Sequence, residues 1–351
     1  MANFGPKDIK KLRETTNAGM MDCKKALAES NGDFDAAIAW LKEKGLGAAA
    51  KKASKVAAEG VVAIESDDNK AVIIEVNSQT DFVAQNDLFK ELVRKIAKHA
   101  FDNNLADADA INNSEIDGQP FSEFLSLQIA TIGENLVVRR AGMISSNDDT
   151  VAINGYIHAN NRVGVLLGAK CDDKETADKM KAELKNIAMH AAAMSPSTLT
   201  YKDFDPEFVS SETAGRIEAI KKENEELTRL GKPLKNIPKY VSRQQLTDEV
   251  IAEAKKAIEA ELKAEGKPEK IWDKIIPGKI ERFISDNTLL DQELALLDQK
   301  YVMDDSMTVG QYIEKVSGGK AKITEFIRLE VGEGIEVEEE DFAAEVAKQM
   351  A

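Results

Sequence analysis

Ala71-Val-Ile-Ile-Glu-Val76, followed at once by Asn77-Ser-Gln-Thr-Asp-Phe-Val83, decides how the rest of the chain is read. The first run is apolar and β-branched, as expected of a strand buried on both faces. After the second run, Asn86-Asp87 precedes Leu88, Phe89, Leu92, Val93, Ile96 and Ala97, an apolar stripe at helical spacing with Asp87 as its cap. Thr80, Asp81, Phe82 and Val83 therefore lie on the turn between a strand and a helix. A large aromatic beside a carboxylate on such a turn is either tucked under its own helix or offered to a partner.

An internal comparison bears on that choice. Written without gaps, residues 71–100 align with residues 162–191: Val72 matches Val163, Asp81 matches Asp172, Asp87 matches Asp178, and Ile96-Ala-Lys-His-Ala100 matches Ile187-Ala-Met-His-Ala191. The strand, turn and helix read as a duplicated unit. The counterpart of Phe82 is Asp173 and that of Val83 is Lys174. A fold that tolerates charge at both places does not need Phe82 and Val83 for its core, so they point outward to a partner. Packing of Phe82 back onto its own helix is the bland alternative.

Composition narrows the function classes. With 351 residues and 43% hydrophobic side chains, the chain can hold two or more cored domains. A net charge of -15 argues against direct nucleic-acid binding, which needs a basic footprint. Cys23 and Cys171 are too few and too far apart for a disulfide framework, and no run approaches the roughly 20 apolar residues of a membrane span. A cytoplasmic chain without membrane attachment is expected.

Taken in order, Lys7–Glu14, Met20–Glu29 and Phe34–Lys44 form three short helices, a docking module whose Met20 and Met21 divide between core and surface or are both buried. Gly45–Gly60 is a helical or flexible connection at a domain boundary. Two hairpins follow, Gly60–Glu65 with Lys70–Val76 and Ala152–His158 with Arg162–Ala169. A helix over Phe121–Ile132 and a strand over Asn135–Ile144 lie between them. The partner of that strand in the second copy is Ile323–Val331, so something is inserted in the second unit. The insert shows two amphipathic arms, with Ile217, Ile220 and Leu227 in one and Val250, Ala254 and Ile258 in the other, joined by a Pro-containing bend. A spacer, a partner-gripping arm and a homodimer through this hairpin all fit that pattern. The expected fold class is α+β: a three-helix, UBA-like module over 1–56, a duplicated α/β core with antiparallel strands over 57–145 and 146–204 with 307–335, an inserted helical hairpin or coiled coil over 205–306, and a terminal helical module over 336–351. Glu336–Asp341 starts the last helix, Phe342–Met350, through its favourable place at a helix amino end.

Chemical motifs are absent. There is no nucleophile elbow, phosphate loop or dinucleotide fingerprint, and three histidines are too scattered for a zinc site with two cysteines. No metal, cofactor or enzymatic activity is expected. His158, at a hairpin turn, is a candidate contact residue. A hydrolase pairing Asp81 with His158 requires the two within hydrogen-bond reach.

Leu12-Arg13-Glu14, Ala18-Gly-Met-Met-Asp-Cys-Lys-Lys-Ala-Leu27, Asn31-Gly-Asp33, Gln79-Thr-Asp-Phe-Val83, Gly133-Glu-Asn135, Ile187-Ala-Met-His-Ala191 and Val331-Gly-Glu-Gly-Ile335 together resemble bacterial translation elongation factor Ts from end to end. The helical insert is longer than in the familiar short members. The resemblance implies a guanine-nucleotide exchange factor for GDP-bound elongation factor Tu. It assigns docking on the partner's nucleotide domain to the module that holds Leu12, Arg13, Met20 and Met21, and displacement around the partner's magnesium to Thr80, Asp81, Phe82 and Val83. It makes His158 a further contact. A non-catalytic adaptor that tethers two partners is the alternative.

Overall fold

The computed structural model describes residues 4–16 and 18–336. The acidic run after Glu336 and the terminal helix expected over Phe342–Met350 lie outside the described residues. The chain divides into two compact units, one holding the residues up to Lys170, Ala177–Ala192 and the chain from Ile327, the other Cys171–Thr176 and Ala193–Phe326.

The first unit opens with helices α1 (Pro6–Thr16), α2 (Met20–Glu29) and α3 (Phe34–Lys52). Asn31 and Gly32 take φ of 52° and 86° to end α2, and the Asp33 carboxylate accepts from the Ala36 amide to start α3. Leu12, Cys23, Ala26, Leu27, Ala37 and Leu41 close this small core. The stretch after Gly45 is helical as far as Lys52.

The order then runs β1 (Glu59–Ser66), β2 (Lys70–Ser78), α4 (Asp81–Gln85), α5 (Asp87–Asp102), α6 (Ala108–Asn112), the short strands β3 (Glu115–Ile116) and β4 (Gln119–Pro120), α7 (Phe121–Ile132), β5 (Val137–Ser145), β6 (Val151–Ile157), β7 (Val163–Cys171) and α8 (Lys174–Met194). α3 crosses α7 at Gly45, where a β-carbon would lie 3.0 Å from Leu127 Cδ2 and 3.3 Å from its backbone nitrogen. Lys42 and Glu123 pair at 2.8 Å beside that crossing.

Two three-stranded sheets share one plan. β1, β2 and β5 are antiparallel with β2 central; β6, β7 and the later strand β10 (Ala321–Glu330) repeat the order with β7 central. β2 is buried from Ala71 to Ser78. Val72, Ile74 and Val76 pack with Phe89, Val93 and Ile96 of α5 and with Phe121 and Phe124 of α7, while Ala71 and Ile73 meet Ile153 and Leu166 of the second sheet. The copies differ at one point. Asn86 has ψ of 134° and breaks the helix into α4 and α5, whereas Ala177 at the same repeat position lies within the unbroken α8. Asn86, rather than Asp87, caps α5, its side chain accepting from the Leu88 amide at 2.8 Å.

Glu75 points into the inter-sheet face with its carboxylate fully buried. It accepts from Arg139 at 3.2 Å, from Arg140 Nε at 2.5 Å and from the Gly332 amide at 2.9 Å. Gly332 has φ of +78°, and a β-carbon there would lie 2.4 Å from the Ala58 carbonyl oxygen. The Val331-Gly-Glu-Gly-Ile335 motif is thus a latch on the first sheet.

The second unit contains the insert, α9 (Pro206–Arg229), α10 (Asp248–Ala264), α11 (Trp272–Asp286), α12 (Leu289–Leu294), β8 (Lys300–Tyr301) and β9 (Asp304–Thr308), and after it α13 (Val309–Ser317), which leads into β10. α9 and α10 occupy the two stretches expected as arms, but the pairing differs from the expected hairpin: α10 packs along α11 rather than along α9, with Lys279 bonded to Glu261 at 2.8 Å. At the base, Phe204, Val209, Val241, Leu290 and Ala295 form a small core. The Asn224 amide brackets Lys235 at the far end, accepting from its N–H at 2.7 Å and donating to its carbonyl at 2.8 Å.

Two outcomes follow from these buried charges. Glu75→Ala takes a buried carboxylate from two guanidinium groups, which keep only their bonds to Glu330 and Glu333, and from the Gly332 amide, and destabilises the first unit by about 3 kcal/mol, read as a lowered urea midpoint. Asp291 is buried, and that burial pushes its carboxyl up to about 6 against the bonds it accepts from Ser242 and the Arg243 backbone. A raised folded value contributes stability that is complete below the ordinary carboxylate range and lost as pH rises through about 6. The melting temperature of the second unit therefore rises from pH 7.5 to pH 5.5, and Asp291→Asn flattens that rise.

Candidate functional site

Thr80 carries the site's geometry. It ends β2 in extended backbone, and its hydroxyl accepts from the Val83 amide at 3.3 Å as the cap of α4. The carboxylate of Glu134 grips it from across the sheet: Oε2 accepts from the Gln79 and Thr80 amides at 3.0 and 3.1 Å, and Oε1 from the Thr80 hydroxyl at 2.7 Å. Three bonds to one ionised group hold the turn far more firmly than a free loop. Ser78 Oγ adds a bond to the Thr80 carbonyl at 3.1 Å.

One turn of helix then sorts the side chains. Val83 is half-buried against the main core and Ala84 is buried, so Asp81 and Phe82 face outward. Phe82 is 83% exposed, more than any other large apolar side chain among the described residues. The reading of Phe82 as an outward residue holds; that of Val83 does not, because it anchors the turn. Its charged counterpart Lys174 starts α8 instead, and Asp173, the counterpart of Phe82, accepts from the Thr176 amide at 2.8 Å as a cap.

The module presents a second patch. Met20 and Met21 are 59% and 73% exposed, so neither lies in the core, contrary to the expectation that one or both would. Arg13 is exposed on α1. Leu12, grouped with them from the sequence, is fully buried and is corrected to a core residue: α1 turns it towards Cys23 and Leu27. Burial pushes the Cys23 thiol up from its ordinary value.

A hollow of about 540 Å³ joins this patch to the core, lined by Arg13 and Met20 on one side and by Leu88, Glu91, Phe124 and Gln128 on the other. Gln128 is buried, and its Nε2 has no hydrogen-bond partner, which leaves a donor at the hollow. Leu88 is 57% exposed although helical spacing placed it in the α5 stripe. Its repeat counterpart is Lys179, so the comparison that singled out Phe82 also marks Leu88. Glu134 belongs to the Gly133-Glu-Asn135 motif, and nothing in its local sequence reveals that it reaches the turn.

His158 is exposed at the β6–β7 turn, its Nδ1 3.3 Å from the Tyr156 hydroxyl Oη. A smaller hollow, about 230 Å³, brings Asp81, Ala84 and Lys90 beside Asn160, Asn161 and Arg162 of that turn, but His158 does not line it. Among the described residues no hydrogen bond joins Asp81 to His158, so the acid and base that a hydrolase needs are not assembled. No helix among the described residues is long and apolar enough to cross a membrane.

The sequence model of a family described as Elongation factor TS matches residues 79–237 and 235–333. An elongation factor Ts from Sulfurovum sp. is 68% identical over 354 residues, with all of both chains covered. Others from Aliarcobacter butzleri, covering 100% of this chain and 99% of the relative, and from Helicobacter pylori, covering all of both, are 57% and 54% identical. The class is therefore that of the translation elongation factors. Within it, the chain belongs to the elongation factor Ts family.

Glu134→Ala removes the three bonds that Glu134 makes to the turn while leaving the α5 core intact. Amide exchange at Val83 and Ala84 is expected to speed up at least about tenfold, for a loss of 1.5 to 3 kcal/mol typical of bonds to a charged group. Unchanged exchange would show that the turn is held by Ser78 and Val83 alone.

Proposed function

We propose that this chain is a guanine-nucleotide exchange factor that docks on GDP-bound elongation factor Tu in the cytoplasm and promotes GDP release. The observation that carries the reading is Phe82, a large apolar ring held out in water on a turn that Glu134 braces. Exposing such a ring brings the fold no stability, so its use lies in contact with another molecule.

The physical task suits the pair. A GTPase holds its diphosphate through a phosphate loop and a magnesium ion, so disturbing the ion and its waters removes much of that binding. Phe82 supplies a wedge whose burial is worth roughly 1.5 to 3 kcal/mol. Asp81 supplies a charge that competes for the waters around the ion. Arg13, Met20, Met21 and Leu88 supply the docking face. Because coupling is reciprocal, a factor that loosens nucleotide is itself expelled by nucleotide. No covalent step is required, and the chain acts without being an enzyme.

Phe82→Ala is expected to lower stimulated release of fluorescent GDP from elongation factor Tu by about 10- to 150-fold, the equivalent of the lost wedge, with unchanged circular dichroism. A variant as active as the parent would remove Phe82 from the mechanism.

A further inference from the structure

The sulfur atoms of this chain are distributed in a way that docking alone does not require. Both thiols are shielded: Cys23 is 0% and Cys171 3% exposed, and burial pushes the Cys23 thiol up, away from the reactive thiolate. Met20 and Met21 stand consecutively in water at the start of α2, the first lining the hollow beside Arg13 and Leu88. Leucine would supply the same apolar contact without an oxidisable atom. We propose that Met20 and Met21 are a modification site for hydrogen peroxide, and that their sulfoxidation switches off the docking face. This rests on the docking role given to that face above.

The chemistry balances without a cofactor. The thioether sulfur attacks one peroxide oxygen, an S–O bond forms as the O–O bond breaks, and the departing hydroxide takes the remaining proton as water. Sulfur loses two electrons and peroxide gains them. The product is a polar sulfoxide, which methionine sulfoxide reductases return to the thioether. Access governs the order of reaction. Met20 and Met21 should react with Met303, which is 59% exposed and lies in the second unit, and well before Met180, which is fully buried.

The test treats the full chain with millimolar hydrogen peroxide, maps sulfoxides by peptide mass spectrometry and measures stimulated GDP release from elongation factor Tu. Release should fall about tenfold as Met20 and Met21 are oxidised and return after reductase treatment. A Met20→Leu, Met21→Leu chain, compared with its own untreated sample, should lose none of its activity to peroxide, whereas Met303→Leu should lose as much as the parent. The proposal is overturned if Met20 and Met21 stay reduced while Met303 is oxidised, if the doubly oxidised chain keeps its activity, or if the double-leucine chain is inactivated equally. Failure of the exchange reading shows itself separately, as no stimulation by the untreated chain. The effect of sulfoxidation is then read from the affinity of the chain for immobilised elongation factor Tu, and an affinity unchanged by oxidation overturns the proposal.

Discussion

Strand β2 has to be covered on both sides, and most of the first unit answers that constraint. Val72, Ile74 and Val76 draw α5 and α7 onto one face, while Ala71 and Ile73 draw the second sheet onto the other. Glu75 sits in the same strand as a buried anion and requires partners of opposite charge. Arg139 and Arg140 come from the neighbouring strand, and the Gly332 amide comes from the far end of the described chain. A strand sealed in this way gives its last residues a fixed position, and the turn that follows inherits it.

Much of this was legible in the sequence, and the gaps have physical causes. The hydrophobic period marked β2, α5 and α7, and the repeat exposed the shared plan of the two sheets. The same comparison separated Phe82 from the core, because its counterpart is an acid. It misled at Val83: a lysine suits the first turn of α8, while a valine suits an anchored turn, so tolerance of charge in one copy did not imply exposure in the other. Leu12 was misassigned because a motif groups residues by sequence distance, whereas α1 sends Leu12 and Arg13 about 100° apart. Glu134 could not be found by any local rule. Its bonds to Gln79 and Thr80 span more than fifty residues, and only the finished sheet brings them together.

The division of labour between the copies is local too. In the second copy Ala177 lets the helix run on, and Asp173 is used as a cap. In the first, Asn86 ends α4 after one turn and starts α5 afresh, so five residues are detached from the helix axis without leaving the core. A single residue that prefers capping to helical continuation is enough to turn a scaffold element into a presenting one.

The Gly45 crossing has a mechanical meaning. With no side chain at that point, α3 lies directly against the backbone of α7 at Leu127, and α7 is itself packed in the core that anchors Val83. Arg13 and Met20 on one jaw and Phe82 on the other are thereby set like the points of a caliper. For the exchange role proposed above, this means that span as well as chemistry would select the partner.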